Sequence, residues 1–421
     1  MAKVSVFWFR RDLRTGHNAG LAAALKSGLP VLPVFIFDPD ILLGLNPNYK
    51  WLDFLYVSLE NLNESIKKKG GKLLIETGNP IDRFLALIEK FDIGGVYFNE
   101  SYEPYSRNRD DLVMSLLKSR GIPVHTFKDH VIQGPEEIVK NDGNPYKVFT
   151  AYFNRWKTQT SLKKEEPMPT GGSFVKIQIP FPGRKNLGLQ EKIQINENSF
   201  AFSPDGLRTE LKDVVTGLGP HLRWGTVSPP ALLAANRKNS GLQRKLAWRD
   251  FFNQVLFHYP HVVTRNFNPA YNRMAWENNP DYIEAWKYGK TGFPLVDAGM
   301  RELTSTGHMN NRARMIAASF FCKQLLCDWR IGEAWFASHL IDYDLAINNG
   351  NWQWCAGTGC DAAPYFRIFN PLLQQKKFDP EGHYIRQWVP EYNSENYPAP
   401  IVDQKSASEK ALKAYKKALS N

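Results

Sequence analysis

Five short apolar, β-rich runs, at residues 4–9, 30–37, 72–76, 95–98 and 122–127, alternate with helical patterns at 18–26, 50–69, 81–90 and 107–120. This alternation restricts the fold more than any other feature of the chain. A parallel strand pair needs a crossover of a dozen or more residues, whereas a hairpin needs only a tight turn, so strands spaced by helices this long pair in parallel. The expectation is a doubly wound parallel five-stranded sheet covered by helices, with ligands bound at the carboxyl edge of the strands. No GxGxxG or GxxxxGK[ST] follows any of the runs, so neither a dinucleotide nor an ATP site is signalled there.

Beyond this region the alternation stops. Residues 158–198 are rich in Lys, Pro and Gly and read as a connection. Helical patterns follow at 242–255, 281–286, 295–303, 310–326 and 333–340, and Trp is concentrated there. The division is therefore an α/β domain at 1–130, a linker at 131–198 and an all-α domain at 199–421. The final stretch, 406–420, suits a short basic amphipathic helix, but a solvated terminus is the preferred reading. A chain of 421 residues, 43% of them hydrophobic, is long enough and apolar enough for two cores. No run approaches the ~20 apolar residues of a membrane helix. Cys322, Cys327, Cys355 and Cys360 form no CxxC pair and no metal-ligand spacing. A reduced, cytoplasmic monomer with no membrane contact and no metal is expected. The net charge of +11 suits a polyanionic partner, nucleic acid foremost; a basic enzyme without a special partner fits it equally well.

Two constellations carry chemistry. Arg314 follows the start of the pattern at 310–326, and "DYDLAINN" places Asp342, Asp344, Asn348 and Asn349 within eight positions. Carboxylates in an apolar half need partners, and Arg314 holds one bidentately. One reading is a buried ion pair plus helix caps. The other is a polar ring around a planar heterocycle, with the two Asn supplying donors and acceptors. The second constellation is aromatic: Trp248 in "LAWRDFF", Trp352 and Trp354 in "NWQWCAGTGC", and Trp276 and Trp329 elsewhere in the helical half. These are either core residues or stacking platforms for bases beside the cationic Arg244, Lys245 and Arg249. His258 and His261 have no third metal ligand nearby, and nothing like GxSxG appears.

"VFWFRRDLRTGHNAGLAAA" (6–24), "YKVFTAYFNRW" (146–156), "TGFPLVDAGMRELTSTG" (291–307) and "NNRARM" with "DYDLAINNGNWQWCAGTGCDAAPYFRIFNP" resemble the photolyase/cryptochrome flavoproteins. The resemblance spans nearly the whole chain and is strongest to class I cyclobutane pyrimidine dimer photolyases. It implies FAD held in the helical domain and damaged duplex DNA as partner. The linked pyrimidines would be flipped out and split by light-driven electron donation from reduced FAD. It places Arg314 and Asp342 as an ion pair beside the flavin, Asp344 near its ring, and Asn348 at flavin N5, with Asn349 and Arg249 also toward the cofactor. Asn311 would lie between flavin and substrate. Trp248 and Trp354 would flank the dimer, and Arg249, Met315, Gln374 and Lys245 would line the same cavity. Trp352, Trp329 and Trp276 match a three-step electron relay. The (6-4) enzymes of the family carry His where this chain has Asn311 and Met315, which argues against that repair. The alternative is a cryptochrome-like blue-light receptor without repair.

Departures from the family pattern are local. Lys245 stands where Glu is usual. The phosphate loop T-S-x-L-S is "VTGLG" (215–219), leaving Thr216 and the backbone of Gly217, Leu218 and Gly219 as candidate phosphate contacts. "GWMHNR" is "GHMNNR", bringing His308 and Asn310, and the folate-contacting Y-E-x-x-E pattern ends in Ser106. A folate or deazaflavin antenna therefore has no support in the sequence.

Overall fold

A computed structural model describes residues 2–43, 49–161, 171–189 and 217–420. Thr216 lies outside them. The chain forms two compact units. One holds the sheet, runs to Asn144, resumes at Thr150 and includes Leu218–Phe257; the other holds Pro145–Phe149 and the chain from His258 onward. Leu218–Phe257 thus groups with the sheet, whereas a division at residue 199 assigns it to the helical half. Periodicity marks a helix but does not say which core the helix packs against.

In the first unit β1 (Val4–Phe9), β2 (Val31–Phe37), β3 (Leu74–Thr77), β4 (Ile93–Asn99) and β5 (Val124–Phe127) form one parallel sheet in the order β3-β2-β1-β4-β5. Every residue of β1 and β2 is buried, which is why they read as unbroken apolar runs and not as alternating ones. Helices α1 (Ala19–Lys26), α2 (Pro39–Leu43), α3 (Tyr49–Lys67), α4 (Pro80–Lys90) and α5 (Pro104–Ser119) connect the strands. The strand order reverses direction at β1. There Asn99, at the carboxyl end of β4, donates to Asp12 Oδ2 (2.5 Å) and Asn18 Oδ1 (2.8 Å) and accepts from the Gly20 amide (3.0 Å). A Cβ at Gly20 would sit 2.7 Å from that Asn99 oxygen, so glycine is required for this closure. Then come α6 (Phe149–Ser161), α7 (Leu218–Trp224), α8 (Pro229–Ala235) and α9 (Ser240–His258). Helix α6 occupies part of the stretch read from sequence as linker.

The second unit comprises α10 (Pro280–Lys287), α11 (Pro294–Thr306), α12 (Asn311–Ser319), a π-helical turn at Phe320–Gln324, α13 (Trp329–His339), α14 (Leu345–Ala356), α15 (Pro371–Phe378), α16 (His383–Trp388) and α17 (Gln404–Leu419). At its centre the Trp286 ring stacks on Phe336 (5.9 Å, 9°) and meets Trp352 edge-on (5.9 Å). The single helix expected at 310–326 is α12 followed by the wider π turn. That turn directs Lys323 Nζ and Gln324 Nε2 onto the carbonyls of Arg367 (2.9 Å) and Phe369 (2.6 Å). Burial lowers the Lys323 ammonium to about 8. Among the described residues no helix is long and apolar enough to cross a membrane.

The C-terminal stretch is not a solvated tail. Helix α17 buries Ala407, Ala411, Tyr415 and Ala418, spaced for one helical face, and the Tyr415 hydroxyl donates to the Ala356 carbonyl at 2.6 Å. Small side chains bring this helix close to its neighbours, which its many Lys residues conceal in the sequence. Tyr415→Ala is expected to destabilise the folded protein by about 3–5 kcal/mol, read as a lower urea midpoint.

Candidate functional site

The polar residues singled out from sequence gather around α13 and α14. Asp344 caps α14, accepting from the Ile347 amide at 3.3 Å. Asn348 and Trp352, four residues apart, share one face of the helix. Trp352 packs against α13 at Gly332, where an added Cβ would come 2.2 Å from its Cη2. Asn348 Nδ2 donates to Glu333 Oε1 (2.9 Å) and to the Glu333 carbonyl (3.2 Å). Burial pushes the Glu333 carboxyl up to about 7, and the bond from Asn348 opposes the shift. With its nitrogen committed, Asn348 presents an oxygen that no donor among the described residues reaches. It can accept a hydrogen bond from a ring N–H, with a proton-holding carboxyl behind it. Sequence reading did not single out Glu333; its only mark was a position one turn after Trp329.

Arg314 Nη2 contacts both oxygens of Asp342 (3.1 and 3.0 Å), and its Nε donates to the Met309 carbonyl (2.9 Å). Ion pair and cap are therefore both present. Asn349 differs: its Nδ2 donates to the Val262 carbonyl (2.9 Å) and its oxygen accepts from Gln353 (3.0 Å). Its amide thus holds α14 to the 258–263 segment. Asn311 is exposed at the start of α12, with Nδ2 3.9 Å from the sulfur of half-buried Met315. Trp354 is half-buried on α14. Gln374, on α15, has an Oε1 without a hydrogen-bond partner among the described residues, and the same helix exposes Leu372 and Leu373.

Trp276, Trp329 and Trp352 are held by contacts between their neighbours. Gly332, which carries the Trp352 ring, is three residues from Trp329. The Glu277 amide, next to Trp276, donates to the Leu326 carbonyl (2.8 Å), and the Asp328 amide, next to Trp329, donates to Asn278 Oδ1 (2.8 Å). Leu326 and Asn278 both adopt positive φ of 49° to make this clamp. Trp352 and Trp329 are fully buried and Trp276 is half-buried.

The remaining candidates belong to the sheet-bearing unit. On α9 Lys245 is exposed, and half-buried Trp248 packs on Phe251 and Phe252. Arg249 is 5% exposed and gives its guanidinium to the carbonyls of His130 and Leu222 (the latter 3.3 Å); it braces this unit's interior. Leu218 and Gly219 open α7; Gly217 just before them has φ +61° and groups with the helical unit.

A cavity of about 90 Å³, open to solvent at its mouth, lies at the carboxyl edge of the sheet. Trp51 and Trp224 stack along it (5.6 Å, 16°). Its cations are paired: Arg11 and Arg223 with Glu103, Arg109 with Asp38 and Asp110, and Arg10 with Asp110. Yet the indole N–H groups of Trp8, Trp51 and Trp224, Arg10 Nη2 and Asp129 Oδ2 have no hydrogen-bond partner among the described residues. Buried polar groups are rarely left so, and this donor-rich, aromatic lining fits a planar heterocycle bearing acceptors.

Residues 5–171 match the DNA photolyase domain, and residues 242–395 match the FAD-binding domain of DNA photolyase. The chain belongs to the photolyase/cryptochrome family. It is 36% identical to the deoxyribodipyrimidine photo-lyase of Escherichia coli K12 over 98% of both chains. Its fold superposes on an archaeal photolyase from Sulfolobus tokodaii, described with two FAD molecules, with a TM-score of 0.88 at 34% identity, covering 98% of this chain and 99% of that one. It also superposes on a Synechocystis cryptochrome with a TM-score of 0.86 at 27% identity, covering 98% and 99%. This is a photolyase-type FAD flavoenzyme. The residues around α14 are chemically compatible with such a cofactor: the Asn348 oxygen can accept from a ring N–H, and Arg314 and Asp342 form an ion pair.

Two outcomes follow for this photolyase-type protein. Because the Glu333 carboxyl is raised from an ordinary 4.5 to about 7 in the fold, its contribution to stability is fully present below about pH 4.5 and is lost as pH rises through about 7. Glu333→Gln is expected to flatten that part of the melting-temperature profile. Gly332→Ala gains helix propensity of about 1 kcal/mol, but the collision with Trp352 costs about 1–3 kcal/mol. A net loss of stability and of Trp352 fluorescence order is expected, measured by urea melts and fluorescence anisotropy.

Proposed function

We propose that this protein repairs cyclobutane pyrimidine dimers in DNA in a light-driven reaction. Bound FAD supplies the photoexcited electron donor. The observation that carries this reading is the Asn348–Glu333 pair beside Trp352 and the Arg314–Asp342 bridge, inside the region that matches a photolyase FAD-binding domain. Asn348 accepts from the ring N–H and Glu333 holds or yields a proton behind it. Trp276, Trp329 and Trp352 pass electrons inward from the surface. Trp354, Asn311, Met315 and Gln374 are substrate contacts on α14, α12 and α15, and Trp248 and Lys245 are substrate contacts on α9. Exposed Leu372 and Leu373 next to Lys376 and Lys377 suit an opened duplex, where an apolar tip replaces unstacked bases while cations hold phosphates. The cost of flipping is lowest for an already damaged pair. The orphaned donors of the sheet-edge cavity support an antenna heterocycle there, and the archaeal relative is described with two FAD molecules and a light-harvesting cofactor.

A blue-light receptor without repair is the second reading. It is favoured by the exposed Lys245, where the family pattern has Glu, and by the cryptochrome neighbour.

The purified, chemically reduced holoprotein would be illuminated with a dimer-containing oligonucleotide, with a dark control. Light-dependent restoration of the pyrimidines is expected. Flavin-loaded protein that binds the oligonucleotide and restores nothing would transfer the assignment to the receptor. Trp354→Ala should weaken binding of the damaged oligonucleotide by about 1–3 kcal/mol, the worth of one base–aromatic stack, with flavin content unchanged.

A further inference from the structure

The indole N–H of Trp329 donates to Oδ1 of Asn266 at 2.8 Å, and both residues are 1% exposed. The orientation of that amide is fixed from its other side. Asn266 Nδ2 and the Asn266 backbone N–H both donate to Oδ1 of Asn272, at 3.0 and 3.1 Å. With its nitrogen turned to Asn272, Asn266 must turn its oxygen to Trp329. By contrast, the buried indole N–H of Trp352 has no acceptor among the described residues.

We infer that Asn266 is a positioning residue of the relay, one that stabilises an oxidised Trp329 as a cation without taking its proton. The inference rests on the relay assigned under the proposed function. Removing an electron from an indole makes its N–H strongly acidic, so the acceptor it faces decides what happens next. A carboxylate or an imidazole takes the proton and leaves a neutral radical, which can be refilled only by an electron and a proton together. An amide oxygen is too weak a base for that. It keeps the hydrogen bond, and the bond strengthens because its donor is now charged; charge-assisted bonds are roughly twice as strong as neutral ones. The cation on Trp329 is thereby favoured over one on Trp352, and it stays mobile. The electron balance is simple: Trp329 refills Trp352, Trp276 refills Trp329, and an external thiol reductant refills Trp276. The net change is one electron gained by the flavin and one lost by the thiol, with no proton lost from the Trp329 indole.

The test uses holoprotein with oxidised FAD and dithiothreitol. It compares wild type, Asn266→Leu, Asn266→Asp and Trp329→Phe by flavin photoreduction rate and by transient absorption, which separates cationic from neutral tryptophan radicals. Asn266→Leu is expected to lower the photoreduction yield several-fold while the radical remains a cation. Asn266→Asp is expected to convert the Trp329 signal to the neutral radical and to stall photoreduction. A purely structural role would change flavin content or melting temperature but not the protonation state of the radical. Wild-type spectra and yields in both Asn266 variants, with photoreduction blocked in Trp329→Phe, would overturn the inference alone. Undiminished photoreduction in Trp329→Phe would overturn the relay itself, and the inference with it.

Discussion

Helices α13 and α14 approach closely because position 332 has no side chain, and the arrangement of the helical unit around its candidate site follows from that approach. With hydrogen at Gly332, the Trp352 indole lies directly on the helix backbone. This brings Asn348, one turn earlier on α14, within 2.9 Å of the Glu333 carboxyl. The same closeness removes water from that carboxyl, raises its proton affinity and turns the Asn348 oxygen outward. A tight apolar contact therefore determines the polarity of the site beside it, since desolvation and hydrogen bonding both grow as the helices come together.

The next layer is built from irregular backbone. The π turn at Phe320–Gln324 and the left-handed residues Leu326 and Asn278 interrupt what periodicity presents as plain helix and loop. Each interruption has a consequence. The π turn sends a buried lysine and a glutamine to the carbonyls that shape the segment leading into α15. The two positive-φ residues tie the chain next to Trp276 to the chain next to Trp329. Such conformations cost energy and persist only where the surrounding contacts over-determine them. Here those contacts are the hydrogen bonds that hold the tryptophans in order.

The sheet-bearing unit follows a different logic. Its buried charges are matched in pairs at the carboxyl edge, while three indole donors and single atoms of Arg10 and Asp129 have no hydrogen-bond partner among the described residues. The cations are engaged internally, so the open hydrogen-bonding capacity of the cavity is mostly neutral and aromatic. That distinguishes it from a phosphate cradle and agrees with the lack of a glycine-rich phosphate loop after any strand.

Much of this was legible in the sequence because it depends on local or repeating properties. The five parallel strands follow from apolar runs separated by helices, and the change to an all-α region follows from the end of that alternation. Arg314 and Asp342 follow from the need of a carboxylate in an apolar half for a cation. Other features depend on which groups meet across the fold, and no spacing encodes that. Arg249, adjacent to Trp248 in a basic stretch, turns inward to backbone carbonyls. Asn349, neighbour of Asn348, bonds to Val262 instead of facing the site. Glu333 and Asn266 acquire their roles only from Asn348 and Trp329, fifteen and sixty-three positions away. The lysine-rich end of the chain buries a tyrosine because alanines bring its helix close. The sequence by itself determined the strands, the helices and the residue types available for the chemistry, since these rest on periodicity and composition. Tertiary structure alone decided which oxygen, nitrogen or ring each of them faces, since burial and hydrogen bonding are properties of the contact and not of the residue.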